Sequence, residues 1–99
     1  MAQFDAHRLK GSGELVLDCQ SDLLSDLDTR FVVPLIAVQD LQAATDRLNP
    51  QFIIDNQQHV LATQLAGAVQ RNELGATVAS VRERSFEVIA ALDMLISGV

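Results

Sequence analysis

The pattern of apolar and polar positions divides the chain into short elements. Residues 3–9 alternate weakly and meet Lys10-Gly11-Ser12-Gly13, a turn cluster rich in the residue that tolerates positive φ. Beyond it, Leu15, Leu17 and Cys19 fall on one face while Val16, Asp18 and Gln20 fall on the other. This alternation predicts a strand with one buried side, paired with the first segment as a hairpin. Residues 21–29 carry too many side chains that compete for backbone hydrogen bonds to form a strand, and read as a polar loop. Arg30-Phe31-Val32-Val33 is a third strand, expected to stop at Pro34. A short helix is expected over 38–48, built on Ala43 and Ala44 and blocked by Pro50. Phe52-Ile53-Ile54 is a fourth strand, Asp55-Asn56-Gln57 a turn, and His59 to Thr63 its antiparallel partner. Gly67 to Gly75 reads as loop with room for a short strand.

The final element is the most strongly patterned. Ser80-Val81-Arg82-Glu83 matches a capping box, and Phe86, Ile89, Leu92 and Ile96 recur at three- and four-residue spacing. These four are the expected buried face of a C-terminal helix. From Val88 to Val99 the one charged side chain is Asp93. A helix packed on one side normally keeps charge on the other, so this bare half predicts an intermolecular contact, most simply a symmetric dimer. Strands followed by one terminal helix indicate an α+β, mostly-β fold of the small-barrel kind, in a single domain over residues 1–99.

Composition narrows the function. The chain has 99 residues, 48% hydrophobic and 20% charged, which fits one globular core. Net charge is −6, which disfavours direct nucleic-acid binding, and four Phe with no Trp or Tyr leave few stacking platforms. No apolar run is long enough for a membrane span, and Met1-Ala2-Gln3-Phe4-Asp5 has no signal-peptide pattern. A single cysteine fits a reducing cytosol, so a cytoplasmic protein is expected.

Catalytic chemistry is hard to assemble. Cys19 alternates with Leu15 and Leu17 and reads as a buried small hydrophobe rather than a nucleophile. His7 and His59 have no companion cluster for a metal. Asp22, Asp26 and Asp28 lack calcium-loop spacing and read as a solvated acidic loop. Gly11 and Gly13 have no helix start or Lys-Ser/Thr behind them to cradle phosphate. The residues describe a binding protein, not an enzyme, with no cofactor.

Several segments together resemble the CcdB family, the toxin half of a ccd toxin–antitoxin module. The central match is Asp18-Cys19-Gln20-Ser21-Asp22-Leu23-Leu24 followed by Arg30-Phe31-Val32-Val33-Pro34-Leu35. Gln3-Phe4, Leu48-Asn49-Pro50, Leu61-Ala62-Thr63-Gln64 and Ala91-Leu92-Asp93-Met94-Leu95-Ile96-Ser97-Gly98-Val99 complete the ordered set. The resemblance implies an SH3-like antiparallel barrel with a C-terminal helix, homodimeric, that poisons DNA gyrase by binding its A subunit and trapping it on cleaved DNA. It also implies a CcdA-like antitoxin, with which the toxin represses its operon. Carried over by position, the gyrase contact falls on Gln3, Phe4, Ser21, Leu23, Leu24, Asp93, Ser97, Gly98 and Val99; the dimer contact is expected on Met94, Leu95 and Ile96, within the bare end of the helix. Asp22, Asp26, Asp28, Glu83 and Glu87 are candidates for the antitoxin. The chain departs from the family pattern at one telling place: potent plasmid-type members end Trp-Gly-hydrophobic, and this one ends Ser97-Gly98-Val99. A non-toxic antitoxin-binding regulator is therefore the alternative reading. A MazF-type mRNA interferase is the next, although the six Arg residues are scattered along an acidic chain.

Overall fold

A computed structural model describes residues 2–42 and 45–99. The first hairpin pairs β1 (Asp5–Leu9) with β2 (Leu15–Asp18), with Ala6 opposite Leu17 and Arg8 opposite Leu15. Its turn closes through Leu9 N–H to Glu14 O and Gly13 N–H to Leu9 O, both 2.8 Å, with Gly13 at φ +76°. β2 then pairs with β3 (Thr29–Ala37), and a second hairpin joins β4 (Gln51–Ile54) to β5 (Gln57–Leu61). The two turn residues of that hairpin, Asp55 and Asn56, both sit at positive φ, as a two-residue turn between twisted strands requires. β6 (Gly67–Gln70) pairs with the first half of β3, and β5 pairs with its second half. β7 (Leu74–Ser80) returns to β1, giving the order β4-β5-β3-β2-β1-β7 with β6 beside β3. Helix α1 (Ser85–Ser97) closes the fold, and among the described residues every strand pair is antiparallel. The architecture is a curled, mostly-β half-barrel with a C-terminal helix, as expected from the sequence.

The main core includes Phe4, Leu17, Val33, Phe52, Ile54 and Leu61 from the sheet, packed with Val88 and Ala91 of α1. A smaller cluster of Val16, Val32 and Leu74, flanked by Leu9 and Val69, fills the other side. This second cluster corrects the one-sided reading of β2, whose four residues are all buried. Asp18 is tolerated there because Arg30 Nε and Nη2 reach its Oδ2 at 3.0 and 2.6 Å, with both side chains at most 1% exposed.

Other expectations are also corrected. β3 does not stop at Pro34 but runs on to Ala37. Pro34 lies where β3 changes partner from β6 to β5, so its missing amide interrupts no continuous ladder, and its carbonyl accepts from Ala62 N–H. The segment 38–48 forms turns at 38–40 and 46–48 instead of a helix; Ala43 and Ala44 lie outside the described residues. Thr45 Oγ1 accepts from Leu48 N–H at 3.0 Å, an N-cap arrangement that opens a single turn, and Pro50 stops that turn from continuing as a helix. The stretch 67–75 holds β6 and opens β7, and the latter extends well beyond the short strand anticipated.

The capping box does not form. Ser80 ends β7 opposite Asp5, its Oγ accepts from Arg82 N–H at 3.3 Å, and a 3-10 turn (Arg82–Arg84) precedes the helix. The buried face of α1 is also different. Val88 and Ala91 are fully buried with Leu92 packed beside them, whereas Phe86 is 87% and Ile96 80% exposed. Both stripes are apolar, so periodicity alone could not say which one faces the sheet.

Candidate functional site

The residues singled out in the sequence fall into two groups. The first is built around the polar loop after β2. Ser21 Oγ accepts from Leu23 N–H at 3.2 Å and starts a 3-10 turn over Asp22–Leu24, which turns Leu23 (94% exposed) and Leu24 outward. Gln20 fixes this turn from below: its amide donates to Leu24 O at 2.8 Å and accepts from Phe31 N–H at 2.9 Å. Gln3 joins it through its N–H to Asp22 Oδ1 at 2.9 Å and its side chain to Cys19 O at 3.1 Å. Arg82 completes the patch, donating to Gln3 O at 3.3 Å and lying 3.9 Å from the Asp22 carboxylate.

Phe4 belongs to this group by position but not by exposure. Its ring is in the core, 6% exposed, and its backbone takes φ +71°, an expensive conformation for a side chain of this size. That conformation is held by Phe4 N–H to Asp18 O at 2.6 Å and Val81 N–H to Phe4 O at 2.9 Å. A partner landing on this patch would meet Gln3, Leu23 and Leu24, while the Phe4 ring anchors the strand beneath them.

The second group is the end of α1. Ser97 Oγ donates back to Asp93 O at 2.8 Å, and Gly98 caps the helix in the left-handed conformation, its N–H reaching Met94 O at 3.0 Å. Met94 is half-buried; Leu95, Ile96 and Val99 are exposed. Together with Phe86 and Ile89 they leave an apolar surface running along the helix. Arg47 Nη2 donates to the backbone oxygen of Val99. The two groups lie toward opposite ends of a 13-residue helix, which is about 20 Å long, so a single chain does not bring them into one patch.

The remaining candidates are also placed. Asp26, Asp28 and Glu83 are exposed, whereas Asp22 is engaged by Gln3 and Arg82, and Glu87 by Arg84 at 2.5 Å. The hydrogen bond from Arg84 lowers the Glu87 pKa. Arg84 also donates to Gln51 O and lies 4.1 Å over the Phe52 ring, tying the start of α1 to β4. Cys19 is buried, its Sγ 3.6 Å from Leu17 O, and its pKa is pushed up to about 12 by burial and then by the nearby Asp18 charge. His7 Nδ1 bonds Gly75 O and His59 Nδ1 bonds Gln57 O, each at 2.9 Å. Among the described residues no group of His, Cys, Asp or Glu side chains is arranged to hold a metal, and no helix is long and apolar enough to cross a membrane. Arg82 and Arg47 were not singled out in the sequence. Both act across the tertiary structure, on residues 79 and 52 positions away, and leave no local signal.

Two solved structures share this architecture. Mycobacterium tuberculosis toxin MazF-mt6 superposes with a TM-score of 0.77 at 12% identity, covering 93% of this chain and 95% of that one. An endoribonuclease in complex with its cognate antitoxin, from a mycobacterial species, gives a TM-score of 0.65 at 15% identity, with 97% and 92% covered. At these identities the likeness is one of fold, and it defines the molecule as a half-barrel of the kind seen in that MazF toxin. The CcdB protein family matches residues 3–98, and the chain belongs to that family. A search of curated proteins finds no match.

Proposed function

We propose that this protein is the toxin of a type II toxin–antitoxin module, a cytoplasmic homodimer that binds the DNA gyrase A subunit and traps the enzyme on cleaved DNA. The observation that carries the reading is family membership over residues 3–98. The exposed apolar end of α1 supports it. Val99, 76% exposed, projects just beyond the end of a rigid helix and can enter a partner's cleft, and Gly98 permits close approach. Met94, Leu95 and Ile96 supply the proposed dimer contact, and dimerisation offers a way to bring the Gln3–Leu23–Leu24 patch of one protomer near the helix tip of the other.

A CcdA-like antitoxin would neutralise the toxin and repress the operon with it. The net charge of −6 and the exposed Asp26, Asp28 and Glu83 suit a basic partner. No catalytic step is assigned. Both imidazoles are buried, His7 at 1% and His59 at 6% exposure, Arg30 is buried in its ion pair, and the thiol stays protonated at neutral pH.

One observation favours a second reading, that of an antitoxin-binding regulator with little toxicity: Ser97 stands where potent family members carry Trp. Loss of such an anchor costs roughly 2 kcal/mol or more, about thirtyfold in affinity. DNA cleavage by the host's own gyrase, with the protein and with a Ser97→Trp variant, separates the two. Linear DNA from the natural chain supports a gyrase poison with a different anchor. Cleavage with the variant alone means an intact scaffold with a blunted tip, and silence from both overturns the gyrase reading. RNA incubated in parallel must remain intact, because its cleavage would favour an mRNA interferase.

A further inference from the structure

We propose that Arg47 is a positioning residue for the tip of α1, fixing Gly98 and Val99 in the orientation presented to the target. The inference rests on the proposed role of that tip. The contact joins parts of the chain 52 residues apart: Arg47 Nη2 donates to the Val99 backbone oxygen. What distinguishes it from an accidental surface contact is the platform that carries Arg47. The turn Thr45–Asn49 is closed by Asn49 N–H to Thr45 O at 2.9 Å and by Leu48 N–H to Thr45 Oγ1 at 3.0 Å. It is bolted to the sheet by two buried side chains. Thr63 Oγ1 donates to Leu48 O at 2.6 Å, and Asn49 Nδ2 donates to Leu61 O at 2.9 Å and Gln64 Oε1 at 2.7 Å. Leu61 N–H to Pro50 O at 2.9 Å continues the anchorage on the far side. Arg47 thus projects from a fixed base and reaches a helix end that the left-handed Gly98 has already turned out of the helical path.

The clamp presents the tip and does not hide it. With Arg47 in contact, Val99 remains 76% exposed, so the tether orders the backbone while leaving that apolar side chain available. Ordering a recognition segment before it binds removes part of the entropy otherwise lost on association. Arg47 achieves this through the main chain and would act whatever side chain occupies position 97.

The test compares the natural protein with Arg47→Ala and Arg47→Lys. Backbone order of Gly98 and Val99 is measured by nitrogen-15 relaxation, and affinity is measured on immobilised gyrase A subunit. Since Arg47 and Val99 are both exposed, unfolding midpoints should stay unchanged. The expected result is a tip that loosens in Arg47→Ala, with affinity about fivefold weaker, and an intermediate state in Arg47→Lys, which keeps a donor but not the planar fork. Unchanged order at Gly98 and Val99 overturns the clamp. A loosened tip with unchanged affinity overturns the positioning role. A loosened tip with no gyrase binding by any of the three proteins upholds the clamp and overturns the gyrase reading instead.

Discussion

Cys19 immediately follows β2, between two polar neighbours whose contacts set its chemistry. Asp18 holds Arg30 through Oδ2 and accepts from Gln20 N–H through Oδ1 at 3.1 Å, so it is fully occupied yet still a negative charge beside the thiol. Burial and that charge raise the Cys19 pKa to about 12. The sign of the consequence follows. Unfolding returns the thiol to a lower pKa, so the unfolded chain releases its proton first as pH rises, and stability is lost between about pH 9 and 12. On this basis, the natural protein should lose on the order of 2 kcal/mol between pH 9 and 10.5, and a Cys19→Ala variant should not show that slope. Urea titrations at the two pH values check this. Matching slopes in both proteins would remove Cys19 as the cause.

Two apolar stripes on α1 make opposite demands. Val88 is fully buried against the sheet, so Val88→Ala should destabilise the fold by about 1–2 kcal/mol. Phe86 is 87% exposed in the single chain, so in a monomeric Ile96→Asp background Phe86→Ala should change stability by less than about 0.5 kcal/mol, despite removing a larger side chain. Chemical denaturation of the two variants side by side decides the matter, and equal losses would place the wrong stripe inward. The same contrast explains what was legible in the sequence. Hairpins were readable because Gly13 and the Asp55-Asn56 pair impose turns locally. The end of β3 was misjudged, since the tolerance for Pro34 comes from a change of neighbour that one strand cannot announce. β7 was largely missed because Ala76, Thr77 and Val78 are exposed and it lacks a hydrophobic face to reveal it. The ordered family segments pointed to both candidate patches, but the burial of Phe4 depends on contacts with β2 and Val81 that its own neighbours do not encode.

At the scale of the whole molecule, the exposed stripe and the bare helix end predict self-association. Sedimentation at micromolar concentration should give twice the 10.8 kDa chain mass, and Ile96→Asp should shift the population toward monomer. Because Ile96 is 80% exposed in the single chain, the variant should keep the natural circular-dichroism spectrum. A natural protein that stays monomeric under these conditions would overturn the proposed dimer.

The pairing of β1 with β7 sets the order of events during synthesis. Asp5 lies opposite Ser80, and the strained Phe4 carbonyl waits for the Val81 amide. β1 therefore leaves the ribosome long before the strand that closes it, β7, has been made, and the helix that carries the proposed toxic tip follows later still. Contacts this distant in sequence are slow to form and yield nothing when half complete. A nascent or truncated chain ending before residue 80 lacks both the closed sheet and the helix, so translation must pass this point before the assembled tip exists.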